Sequence, residues 1–173
     1  MTKITVHPSG RSLGADIEGV DLSQPIDDAT FGQILDAWAE HLVLRFRDQK
    51  LTDDHLAEFS ARFGALDDAP IRATGTPQHD RRRDIAVISN IVEGDKPIGS
   101  LGNSELVWHQ DMSYKDLPPK ASILYGVETP ATGGNTEFYN LYKAYETLPE
   151  DLKHRIQGLK IKHDATRNSA GQA

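Results

Sequence analysis

Leu106-Val107-Trp108-His109-Gln110-Asp111-Met112-Ser113-Tyr114 is the stretch around which this 173-residue chain organises. Its centre sets a neutral imidazole nitrogen and a carboxylate two residues apart, at His109 and Asp111. On an extended backbone, side chains at i and i+2 share a face. The apolar approach through Leu106, Val107 and Trp108 predicts a strand whose end delivers both groups into one pocket. Two such donors are two thirds of the 2-His-1-carboxylate set that holds non-haem Fe(II) and leaves coordination positions open. The pair alone is a weak signal, since with seven histidines chance supplies roughly 0.7 His-x-Asp pairs in such a chain. A His and an Asp hydrogen-bonded at a strand end account for it as well. Its neighbours decide.

Upstream of the pair, Lys3 to His7 and Asp16 to Val20 read as short strands around a Ser9-Gly10-Arg11 turn. Asp27 or Asp28 caps a helix on which Phe31, Ile34, Leu35, Trp38 and Leu42 form one apolar stripe. Leu42 to Phe46 follows as a buried strand. Thr52 is the N-cap of a second helix, turning Leu56, Phe59 and Phe63 inward and stopping at Gly64. Residues 65–83 read as a long loop, Ile85 to Val92 as a strand, and Glu93 to Ser104 as a second loop.

Downstream, Asp116-Leu117-Pro118-Pro119 is a stiff bend. Strands are predicted at Ala121 to Glu128, Asn135 to Asn140 and Leu159 to His163, with a turn at Thr129 to Gly134. Pro149 opens a helix with Leu152, Ile156 and Leu159 on one side, ended by Gly158. Strands crowd the second half and helices the first. The pattern predicts a mainly β, α+β fold, a β-sandwich or jelly roll with flanking helices.

Composition narrows the classes. A hydrophobic fraction of 38% with 26% charged residues is that of a soluble globular protein, and 173 residues suit a single domain, 1–173. A net charge of −7 argues against a nucleic-acid surface, which needs clustered Lys and Arg. The one basic run, Arg81-Arg82-Arg83, is flanked by Asp80 and Asp84 and reads as a solvated loop rather than an anion site. Without cysteine there is no disulfide or thiolate chemistry. The first residues show no apolar signal-peptide core, and no run approaches the ~20 apolar residues of a membrane span. A cytoplasmic protein with no membrane partner is the expectation.

The wider context gives the pair its meaning. Trp108-His109-x-Asp111-x-Ser113-Tyr114, Pro118-Pro119 and Thr129-Pro130-Ala131-Thr132-Gly133-Gly134-Asn135-Thr136 resemble the TauD/TfdA (taurine dioxygenase-like) family of Fe(II)- and 2-oxoglutarate-dependent dioxygenases. The likeness runs on through Ala144-Tyr145-Glu146-Thr147-Leu148-Pro149 and Gly158-Leu159 to His163-Asp164, with Phe63-Gly64-Ala65-Leu66 as an earlier matching segment. By that resemblance the fold is a double-stranded β-helix. His109 and Asp111 correspond to the first two iron ligands, and Thr136 to the threonine that hydrogen-bonds the distal carboxylate of 2-oxoglutarate. The implied reaction is decarboxylation of 2-oxoglutarate to succinate with O2, coupled to hydroxylation of a C–H bond. Retention of Asp111 favours hydroxylation over halogenation, because related halogenases open a chloride site by losing that carboxylate.

The resemblance also implies a third ligand, a histidine, and a 2-oxoglutarate-binding arginine beyond the last matching segment. Of the histidines that follow the motif, His154 lies off its helix stripe and reads as solvated. His163 alternates in phase with Leu159 and Ile161 and reads as an inward, hydrogen-bonded core residue. The expectation is therefore an incomplete jelly roll and an incomplete iron site, the N-terminal portion of a longer enzyme.

Substrate residues are expected in two places. Where taurine-cleaving members carry His-Pro-x-Tyr, this chain has Ala69-Pro70-Ile71-Arg72, and where they place Asn before the first ligand it has Glu105. Arg72 is either a bidentate anion clamp or a surface ion pair. Glu105 either meets a substrate ammonium or ends a strand at the surface. A small organic acid or amino-acid-like molecule, rather than taurine, is the expected substrate. Homo-oligomers are common in the family. Two rival classes stand beside the oxygenase: a non-catalytic jelly-roll binding protein lacking the distal ligand, and a zinc hydrolase. The second lacks any His-Glu-x-x-His run.

Overall fold

The computed structural model describes residues 3–69, 79–101 and 108–163. It divides into two compact units, Met1–Leu56 with Tyr125–Lys160, and Ala57–Leu124 with Ile161–Ala173.

The first unit is built on local signals that carry their own hydrogen bonds. Strands β1 (Thr5–Pro8) and β2 (Ala15–Glu18) form an antiparallel hairpin, Thr5 opposite Glu18 and Pro8 opposite Ala15. The Ser9 hydroxyl closes its turn by donating to Leu13 O at 2.6 Å. Helix α1 (Asp28–His41) starts where the Asp27 carboxylate accepts from Thr30 N at 2.8 Å, so the expected acidic N-cap is observed. It ends where Leu42, at φ 67°, returns its N–H to Trp38 O at 2.8 Å. That bond keeps Leu42 out of the strand predicted to begin there. Strand β3 (Leu44–Phe46) instead starts two residues later and pairs in parallel with β2, completing the order β1-β2-β3.

The core of this unit follows from the two periodicities. Alternation in β2 buries Ala15 and Ile17, and α1 buries Thr30, Phe31, Ile34 and Ala37, Ile34 at 0% exposure. The buried face is thus turned toward Thr30 and Ala37, while Leu35 and Trp38 of the predicted stripe are only half-buried. Trp38 finds an acceptor for its indole N–H in Leu42 O at 3.0 Å. Gly19, at φ 88°, sits where a Cβ would meet Lys3 O at 3.1 Å, so the chain leaves β2 through a position that suits glycine. Beyond β3, the Gln49 amide accepts from Leu22 N at 2.8 Å and donates to Val20 O and Arg47 O at 3.2 and 3.1 Å.

Helix α2 (Asp53–Ala61) begins at Thr52, whose hydroxyl accepts from His55 N at 3.2 Å, as expected of an N-cap. Also in the first unit, α3 (Leu141–Glu146) is capped by Asn140, whose side chain accepts from Lys143 N at 2.9 Å. The sequence reading ended a strand at Asn140 and did not foresee this helix. Helix α4 (Glu150–Ile156) follows Pro149, which sits at the N-cap, within one residue of its predicted place. His154 is exposed on α4, as read from its place off the stripe.

In the second unit Phe59 and Phe63 pack edge to face with centroids 5.3 Å apart. Two small sheets occupy residues 88–101. Strand β4 (Ile88–Ser89) pairs in parallel with the later β7 (Ser100–Leu101), and β5 (Val92–Glu93) pairs antiparallel with β6 (Lys96–Pro97). The single strand predicted from Ile85 to Val92 is therefore broken into two short pieces, and the predicted glycine loop carries a hairpin. In the basic run, the Arg82 guanidinium engages Asp84 through both carboxylate oxygens, at 3.0 and 2.6 Å. Arg82 holds the Asp84 carboxyl below its ordinary pKa.

The observed architecture is small sheets with helices. The strands predicted at Ala121 to Glu128, Asn135 to Asn140 and Leu159 to His163 are not formed. Their apolar residues are present, but a strand's backbone groups are satisfied only by a neighbouring ladder. Among the described residues, no ladder pairs with them. Most of their apolar side chains face solvent, Ile161 at 79% exposure, while Ile123 and Tyr125 are half-buried.

Candidate metal centre

The His109-x-Asp111 pair lies in the second unit, between a bend at Trp108 and a turn that begins at Asp111; Leu106 and Val107 of the expected strand lie outside the described residues. Among the described residues, no ladder includes residues 108–111. Lys115 N bonds Met112 O at 3.0 Å, and Met112 adopts φ 48°, reversing the chain just after Asp111.

The two heads converge all the same. His109 Nε2 stands 3.1 Å from Asp111 Oδ1, and both side chains are solvent-accessible, at 36% and 56% exposure. This spacing fits a hydrogen bond, and it also fits two adjacent ligands on one ion. Donors about 2.1 Å from an octahedral metal and at right angles stand about 3 Å apart. A neutral imidazole nitrogen beside a carboxylate oxygen is a donor set suited to a divalent first-row ion. Among the described residues no group of three or more His, Asp or Glu side chains is gathered, so the pair supplies two donors and no third.

The surroundings of the pair are tied by side-chain bonds. Ser122 Oγ donates to Asp111 Oδ2 at 2.8 Å. Ser113 Oγ lies 2.9 Å from His163 Nδ1. His163 is hydrogen-bonded, as read, but it is exposed rather than in a core, because Leu159 and Ile161 on the same alternation are exposed too. Lys115 Nζ pairs with Asp67 across the same unit, and this contact holds the Asp67 carboxyl below its usual range. Sequence reading missed Ser122, which it treated as an ordinary strand residue; only the fold reveals what a lone serine touches.

Thr136 is exposed on residues 135–139, which carry no helix or ladder, and belongs to the first unit. Arg72 and Glu105 lie outside the described residues. No helix among the described residues is long and apolar enough to cross a membrane.

Comparison with known proteins follows the same line. A family model described as "Taurine catabolism dioxygenase TauD, TfdA family" matches residues 5–172. Pentalenolactone F synthase of Streptomyces avermitilis is 36% identical over 157 residues, covering 89% of this chain and 50% of that protein. The alpha-ketoglutarate-dependent 2,4-dichlorophenoxyacetate dioxygenase of Cupriavidus pinatubonensis is 29% identical over 170 residues, covering 94% of this chain and 58% of that protein. The crystal structure of a taurine dioxygenase from Burkholderia xenovorans superposes with a TM-score of 0.68 at 31% identity, over 90% of this chain and 51% of that one. The chain spans about half the length of the relatives it matches.

Proposed function

The chain belongs to the TauD, TfdA family, and on that premise we propose that it serves an Fe(II)- and 2-oxoglutarate-dependent oxygenase that hydroxylates a small organic acid or amino-acid-like substrate. The observation that carries this reading is the 3.1 Å approach of His109 Nε2 to Asp111 Oδ1, the spacing of neighbouring ligands on one ion. The printed name of the Cupriavidus relative, an alpha-ketoglutarate-dependent dioxygenase, supports 2-oxoglutarate as the co-substrate. The double-stranded β-helix expected of the family belongs to the same proposal.

A bound ferrous ion, with O2, would supply the oxidative decarboxylation of 2-oxoglutarate to succinate and CO2 and the hydroxylation of the substrate. The chain's part is to hold and orient. His109 contributes a neutral nitrogen, and Asp111 contributes a charge that offsets that of the cation. The Thr136 hydroxyl would donate to the distal carboxylate of the 2-oxo acid. Arg72 would bind an anionic group of the substrate, and Glu105 a cationic one.

Anaerobic addition of Fe(II) and 2-oxoglutarate tests the reading directly. A weak visible charge-transfer band is expected with the wild-type protein and none with His109→Ala, and admitting oxygen with substrate should release succinate. A protein that develops no band and releases no succinate would instead be a binding module of the same fold, with an incomplete metal site.

A further inference from the structure

Asp111 has two oxygens, and the structure gives them different work. Oδ1 faces His109 Nε2 at 3.1 Å, while Oδ2 accepts a hydrogen bond from Ser122 Oγ at 2.8 Å. We propose that Ser122 is a positioning residue that engages Oδ2 and so presents Asp111 to a metal through Oδ1 alone. This rests on the reading of His109 and Asp111 as metal ligands.

The reason is a count of seats. An octahedral ion has six, of which three protein donors, a bidentate 2-oxo acid and one oxygen leave none over. A free carboxylate can close on a cation with both oxygens, taking a second seat. A hydroxyl on the outer oxygen removes that option and adds no competing charge. The fold makes the contact durable in a simple way. The chain reverses after Asp111 through Met112 at φ 48°, passes the stiff Pro118-Pro119 pair, and brings back Ser122, 11 positions on. Both partners are exposed, so this bond adds little to folding and its consequence falls on ligand geometry.

The test is Co(II) titration of the full chain, followed by calorimetry and visible absorption, for wild type, His109→Ala, Ser122→Ala and Ser122→Thr. Infrared spectra of protein carrying 13C-carboxyl aspartate report the separation of the carboxylate stretches. Ser122→Ala should weaken Co(II) binding by about 10- to 100-fold and narrow that separation toward the two-oxygen mode, with circular dichroism unchanged. Ser122→Thr keeps a hydroxyl and should restore both readings. Wild-type affinity together with wild-type carboxylate bands in Ser122→Ala would overturn the role of Ser122 while leaving the metal site standing. A wild-type chain that takes up no Co(II), or a His109→Ala variant that binds it equally well, would overturn the metal reading itself and this inference with it.

Discussion

In residues 3–56, strand β2 lies between two partners and α1 packs against β3, so Ile17 and Ile34 are buried. In residues 121–163, Leu159 and Ile161 alternate with lysines just as a strand would, and Leu124 and Val127 belong to a predominantly apolar run, yet all four face solvent. Both regions carry apolar patterning. The difference is where the backbone finds its hydrogen bonds. A helix satisfies its own N–H and C=O groups and a hairpin supplies its own neighbour, whereas an extended segment depends on a ladder brought from elsewhere. Patterning marks a segment as suited to a sheet; pairing makes it a strand.

Side-chain truncation should separate the two regions most sharply. Ile34→Ala removes a fully buried side chain and is expected to cost about 2–5 kcal/mol in urea unfolding, while Ile161→Ala should stay within about 0.5 kcal/mol. Equal losses would mean that residues 159–163 are packed after all, and the contrast would fall.

A smaller effect is expected from the signal that starts α1. Asp27→Ala removes the acceptor of Thr30 N and should lower the melting temperature by several degrees, with most of the loss recovered in Asp27→Ser. Unchanged melting would show that the helix is held by its packing alone.

The smallest effect is electrostatic and confined to acid. Asp16 stands opposite Arg45 in the β2–β3 register, and the Arg45 guanidinium, aided by Arg47, holds its carboxyl at about 2, down from an ordinary 3.8. A lowered folded-state value contributes stability that is fully present above the ordinary value and lost as pH falls through the folded one. Wild type should therefore exceed Asp16→Asn in melting temperature by a modest, constant margin at neutral pH. That margin should shrink below about pH 4 and vanish toward pH 2. A margin that persists at pH 2 would assign it to packing instead.

These contrasts also say what the sequence could reveal. Helix α1 was legible from Asp27 and the Phe31/Ile34 spacing, α2 from Thr52, and the hairpin from the turn at Ser9-Gly10, because each signal and its target lie within a few residues. Helix α3 escaped because its cap, Asn140, closes what reads as an alternating strand, and no acidic residue three positions on completes a capping box. At the site, the nearness of His109 and Asp111 was legible because two residues apart leaves little freedom. The turn that begins at Asp111 was not, since Met112, at φ 48°, is no glycine to announce it. Ser122 was invisible for a third reason: its partner lies 11 positions away, beyond any local rule.

Gln49 shows how narrow a chemical specification one surface loop can impose. Its amide must accept a hydrogen bond from Leu22 N and donate hydrogen bonds to Val20 O and Arg47 O. Glutamate matches it in size and could receive, but it would turn negative charge toward two carbonyl dipoles it cannot feed. Hydrolysis of that single amide would unfasten the corner after β2 without altering the shape of a single side chain, so slow deamidation is a route by which this fold could age.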